Sequence, residues 1–196
     1  MKLISFHRFS GIVIAIFAAF HLFNHLTAWF GIASHRHFME LFRQVYRFPP
    51  VEILLLICVG FQVISGISQI RYLRTKNTLT FLDRCKIYSG AVFALFILQH
   101  LSAVMVQRLI WHGETDFHFA AAVVLSSPQK YYFVPYYFLG VFSLGVHIAS
   151  IHRQKIIAWI SPNQANWHAF FILFLSFSVA IVILYVFMGG RFAITQ

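Results

Sequence analysis

SGIVIAIFAAFH, Ser10 to His21, returns as SGAVFALFILQH, Ser89 to His100. Ser, Gly, Val, Ala, Phe and His recur in register, and each copy runs from a Ser-Gly pair at the basic end of an apolar segment to a histidine. The surrounding segments are apolar over about 20 residues, long enough to cross a hydrocarbon layer of about 30 Å. The whole chain follows suit: of 196 residues 60% are hydrophobic and 10% charged, and mean hydropathy is +0.76. These values predict an all-α, polytopic membrane protein. An ionisable side chain repeated at one depth in two membrane helices is costly and points to function, and neutral imidazole is a common ligand of haem iron. His21 and His100 are therefore expected to clamp one haem b in a helical bundle.

Five spans are expected, at about 9–31, 50–71, 87–110, 131–152 and 167–189, each bounded by charge or a helix breaker. They form a single transmembrane domain over 1–196, with no separate domain or low-complexity linker. The net charge of +10 does not indicate nucleic acid, because the basic residues are spread over the segment ends. With the N-terminus inside, Lys2, Arg8, Arg71, Arg74, Lys76, Arg84, Lys86, Arg153 and Lys155 face the cytoplasm against Asp83 alone. The outer segments carry a nearly balanced set, so the positive-inside bias predicts a cytoplasmic N-terminus and a multi-pass protein of the cell inner membrane. The first span is longer than a signal-peptide core, holds two histidines and lacks a small-residue cleavage site, so it reads as a retained helix. Pro49-Pro50 and Ser127-Pro128 sit just before the second and fourth spans, where a missing backbone donor costs little. The long outer connection, residues 111–130, has space for a short helix. Cys58 and Cys85 lie on different segments and no CxxCH motif occurs, which argues against a disulfide framework and covalent haem.

His21 lies 13 residues beyond Arg8 and His100 lies 14 beyond Lys86, which puts both about 20 Å from the cytoplasmic charges. Phe17 and Phe96 each precede their histidine by four residues and share its helical face, suited to packing on a porphyrin. His25 shares that face one turn further out, as an alternative ligand or a propionate contact; only His21 has a counterpart in the third span. In the even-numbered spans, Gly60-Phe-Gln62-Val-Ile-Ser65 parallels Gly145-Val-His147-Ile-Ala-Ser150, so Gln62 holds the place of His147 at a second, inner level. Gly66, one turn after Gln62, leaves space for a flat ligand.

Five spans, the doubled S-G-x9-H pattern and Gln62-Val-Ile-Ser-Gly66 where H-x3-G would stand together resemble the single-chain, five-helix membrane-anchor cytochromes b of succinate dehydrogenases and fumarate reductases. The likeness covers spans one to four, includes Arg-His-Phe-Met39 and Leu-Ser-Ser-Pro128, and fades in the fifth. The resemblance implies two stacked haems b held by histidines of the first four helices, flavoprotein and iron-sulfur subunits on the cytoplasmic side, and menaquinone or ubiquinone as membrane substrate. By that resemblance His21 and His100 match the outer haem's ligands and His147 one inner ligand. Gln62 departs from the pattern, since a carboxamide is a poor iron ligand beside imidazole. Glu52 matches an acidic residue that takes up protons at the outer start of the second helix; as residues go it is equally a helix-capping charge. His7-Arg8-Phe-Ser10-Gly11 resembles the HRxSG element of the two-chain anchors, which makes Arg8 and Ser10 possible quinone or propionate contacts; a positive-inside anchor is the plainer alternative.

The other histidines carry weaker expectations. His35, His37, His112 and His118 read as interfacial polar residues on the outer side, His152 as part of the inner basic belt and His168, beside Trp167, as an interfacial anchor. The chain holds no flavin or nucleotide fingerprint and no cysteine set for an iron-sulfur cluster, so alone it would neither reduce fumarate nor oxidise succinate. A non-enzymatic anchor or assembly module of the same fold, with one haem or none, is the alternative that the missing inner ligand raises. Other bis-histidine transmembrane cytochromes place their histidines on different helices.

Overall fold

The computed structural model describes residues 2–75 and 78–194. Among them the regular structure is helical: α1 (Lys2–Thr27), extended by a 3-10 turn at Ala28–Phe30, α2 (Ile32–Tyr46), α3 (Pro49–Arg74), α4 (Phe81–Leu109), α5 (Phe117–Leu125), α6 (Lys130–Ile156) and α7 (Pro162–Phe187). α1, α3, α4, α6 and α7 are each long and apolar enough to cross a bilayer. The chain is a multi-pass membrane protein. Lys76 and the Lys2 side chain, counted above in the basic excess, lie outside the described residues.

The helices overrun the expected spans because polar caps beyond the apolar stretch set their ends. α4 starts at a capping box in which Thr80 accepts from the Asp83 backbone and Asp83 from that of Thr80, and Ser161 and Gln164 form the same device ahead of α7. Pro49 and Pro50 fill the first turn of α3, where no intrahelical donor is missed. The short helix expected in the 111–130 connection is α5, capped by the Asp116 carboxylate on the Phe119 N–H.

α2 is the element that hydropathy does not announce. Gly31, at φ +119°, reverses the chain in a conformation that disfavours other residues. α2 then runs back along α1, with Phe38, Phe42 and Tyr46 set against Phe23, Phe20 and Phe17 at ring distances of 5.5, 5.4 and 5.5 Å. Their i, i+4 spacing makes one apolar stripe.

α6 packs between α4 and α7, and α1 packs on α3. α6 and α7 pack tightly at Gly145, where an added Cβ would stand 2.0 Å from the Ser176 Oγ of α7. A compact core of Ala28, Phe117, Val124, Ile183, Leu184 and Phe187 ties the C-terminal end of the bundle together. Between the two halves the backbones stay apart: no Cα of α1 comes within 8 Å of α4 or α6, and none of α3 within 8 Å of α6. Side chains, several of them histidines, reach into this space.

Candidate functional site

Across α1 and α4 the two copies of the repeat face each other. The His21 and His100 rings lie 5.9 Å apart at 68°. Phe17 stacks on His21 and Phe96 on His100, each at 5.5 Å and within 18° of parallel, as their four-residue spacing predicts. Phe96 is fixed from α6: the Tyr136 ring lies 4.8 Å away, the Tyr136 hydroxyl donates to the Phe96 carbonyl, and a Cβ on Gly140 would collide with the ring at 2.3 Å.

Two metal–imidazole bonds of about 2 Å each would set ring centres about 6 Å apart. The observed separation and an all-imidazole donor pair therefore fit axial ligation of a haem iron. Among the described residues His100 makes no hydrogen bond to another residue and His21 Nδ1 has no partner, while His21 Nε2 meets His25 Nε2 at 3.1 Å. His25 has both nitrogens engaged, the second with His35 Nε2 at 3.3 Å. Of the two candidates on α1, His21 is thus the one with a nitrogen to spare. Among the described residues no three His, Cys, Asp or Glu side chains group to hold a bare metal ion; a haem iron needs only its axial pair.

His35 belongs to this network, not to the interface. Only 1% exposed, it lies against His25, Phe117 and Phe187 and shares a hydrogen bond with Asn24 Nδ2 at 3.3 Å. Burial pushes its pKa down to about 4, with Asp116 opposing and Arg43 reinforcing the shift. His35 is on the page of the sequence as part of the stripe 35, 38, 39, 42 and 46, a helical period that the polar residues between obscure.

Nearer the N-terminal end of α1, Gln62 turns toward that helix. Its amide donates to the His7 carbonyl and, at 3.0 Å, to Ser10 Oγ, against Gly11, where a Cβ would stand 2.9 Å from Nε2. Ser10 is buried and spends its own proton on the Phe6 carbonyl at 2.9 Å. Arg8 is exposed. His147 meets Ser89 Oγ and the Lys86 carbonyl through Nδ1, both at 3.3 Å, and lies against Gly90. His7, which the sequence marked only as part of a basic element, enters the same level from α1 with Nδ1 2.7 Å from Ser65 Oγ.

No family model, curated protein or solved structure matches this chain.

Glu52, in the first turn of α3, is ion-paired with Arg108 near the end of α4, each side chain about three-quarters buried or more. The pair bridges two helices that otherwise touch little. Beside it Arg43 and Arg47 both donate to the Thr115 hydroxyl, at 3.2 and 2.9 Å. Burial and the neighbouring charges of Arg43 and Arg108 push the Arg47 guanidinium below its ordinary value. At the other end of the bundle His152 and His168 stack at 5.5 Å and share a hydrogen bond of 3.2 Å across the α6–α7 turn.

Proposed function

We propose that this chain is the membrane-anchor cytochrome b subunit of a succinate:quinone oxidoreductase or fumarate reductase, passing electrons between quinone and cytoplasmic flavoprotein and iron-sulfur subunits. One observation carries the proposal. Two imidazoles from the two copies of the repeat face each other at ligand spacing across a space where the helices themselves stay apart. The sequence resemblance supplies the rest, including the inner-membrane location and the cytoplasmic N-terminus.

Haem b, when bound, supplies reversible one-electron exchange. His21 and His100 would hold it from α1 and α4, with Phe17 and Phe96 fixing the ring orientations by stacking. Glu52 is placed to take or give a proton at the outer end of α3, and Arg108 positions its carboxylate. On the N-terminal side the exposed Arg8 offers a positive contact for a docking subunit or an acidic group. Gln62 Nε2 holds that side chain on α1, and a carboxamide is a poor iron ligand, so α3 contributes no imidazole at the inner level. That observation favours, as a second reading, a membrane module of the same fold with a single haem or none.

The test is a dithionite-reduced minus oxidised spectrum of the detergent-purified protein with pyridine haemochrome quantitation. The proposal expects a b-type spectrum that His100→Ala diminishes, and co-purification with a flavoprotein and an iron-sulfur protein. Absence of haem refutes it, while haem without partners or quinone-dependent redox change leaves the module.

A further inference from the structure

Three Ser-Gly pairs line the inner level, and each seats a polar side chain from the adjoining helix. Ser10-Gly11 of α1 takes Gln62, Ser65-Gly66 of α3 takes His7, and Ser89-Gly90 of α4 takes His147. The two histidine seats are alike in detail. Ser65 donates its hydroxyl proton to the Phe61 carbonyl, so its oxygen accepts from His7 Nδ1; Ser89 donates to the Cys85 carbonyl, so its oxygen accepts from His147 Nδ1, which also faces the Lys86 carbonyl. Gly90 gives the His147 ring its place, since a Cβ there would stand 3.1 Å from Cε1, whereas a Cβ on Gly66 would make only ordinary contact with His7 Cε1 at 4.0 Å.

Both imidazoles are thereby held with the proton on Nδ1 and a lone pair on Nε2, and among the described residues neither Nε2 has a hydrogen-bond partner. A hydrogen-bond acceptor on one nitrogen with the other left open is how proteins prepare a histidine to bind metal. The rings come from α1 and α6, whose backbones stay more than 8 Å apart at every Cα pair, and their seats lie on α3 and α4, which touch each other. Gln62 competes poorly, because its Nε2 holds the side chain on α1 and a carboxamide oxygen is a weak iron ligand beside imidazole.

We infer that His7 and His147 are the axial pair of a second, inner haem b, with His7 on α1 replacing the ligand that α3 lacks. The inference rests on the cytochrome reading above. Ten residues, about 15 Å of helix, separate Gly90 from His100, and fourteen, about 21 Å, separate His7 from His21. The inner pair therefore lies toward the N-terminal face, between the outer pair and the side where soluble subunits would dock. A relay with one haem would have a gap there.

The experiment measures haem per chain and the low-spin ferric electron paramagnetic resonance signals of the purified full-length protein. Wild type is compared with His7→Ala, His147→Ala, His100→Ala, Gln62→Ala and His7→Met. Two haems are expected in wild type and Gln62→Ala, and one in each His→Ala variant. His7→Ala and His147→Ala should lose the same signal and keep the one His100→Ala loses, which also reports that the bundle is folded. His7→Met should keep two haems with the inner signal changed from bis-imidazole to imidazole–thioether. Retention of all wild-type haem in His7→Ala overturns the inference. So does a single wild-type haem lost only in His100→Ala, which leaves the cytochrome reading intact. If His7→Ala loses both haems, His7→Met decides: an altered inner signal supports the pair, and an unaltered signal or loss of both overturns it. No haem in any sample refutes the cytochrome reading itself.

Discussion

His35 makes the stability of the C-terminal end of the bundle depend on pH. Its ordinary value is 6.5, and in the folded protein burial among His25, Phe117 and Phe187 holds it at about 4. Below 6.5 the unfolded chain takes up a proton that the folded chain refuses until about 4. Stability from this group is therefore whole above pH 6.5, falls as pH falls through the window, and levels off below about 4. At about 1.4 kcal/mol per pH unit the loss amounts to about 3 kcal/mol. Asp116 raises the folded value and Arg43 lowers it, both less than burial. The assay is unfolding of the detergent-solubilised protein by sodium dodecyl sulfate at pH 7.5, 6, 5 and 4, for wild type and His35→Gln. Other histidines titrate in both proteins, so the difference between the two isolates His35. The advantage of wild type should shrink by about 3 kcal/mol from pH 7.5 to 4. A constant difference across that range would refute the reasoning, whatever the size of the substitution's cost at neutral pH.

Three further outcomes are expected. Gly140→Ala should drive Phe96 off His100, costing about 1–3 kcal/mol and perturbing the haem spectrum where Gly60→Ala, with open space around its Cβ, does not. Gly145→Ala should separate α6 from α7 at a cost of about 1–3 kcal/mol, measured by the same detergent titration, and Ser176→Gly should restore most of it because Ser176 is the atom set in the way. A double-mutant cycle on Glu52→Gln and Arg108→Gln should give a coupling of about 1 kcal/mol for a partly buried pair, and a coupling near zero would remove the α3–α4 bridge from the account.

Hydropathy and spacing determine the five spans, the short helix after Trp111 and the matched positions of His21 and His100 in the two copies of the repeat, since each depends on the local pattern of one segment. The stacking of Phe17 and Phe96 follows from the same four-residue rule. α4 and α7 start six and five residues ahead of their apolar spans, at Thr80-x-x-Asp83 and Ser161-x-x-Gln164, because a polar cap and not the apolar run sets where a helix begins. What only the tertiary structure decided is which polar side chains meet. Helix rotation and the reversal at Gly31 bring His35 under α1, turn Gln62 onto the α1 backbone and seat His7 on Ser65-Gly66. Those contacts join residues 10 to 58 positions apart, and their partners are fixed by how helix faces pack, which no single segment's periodicity encodes.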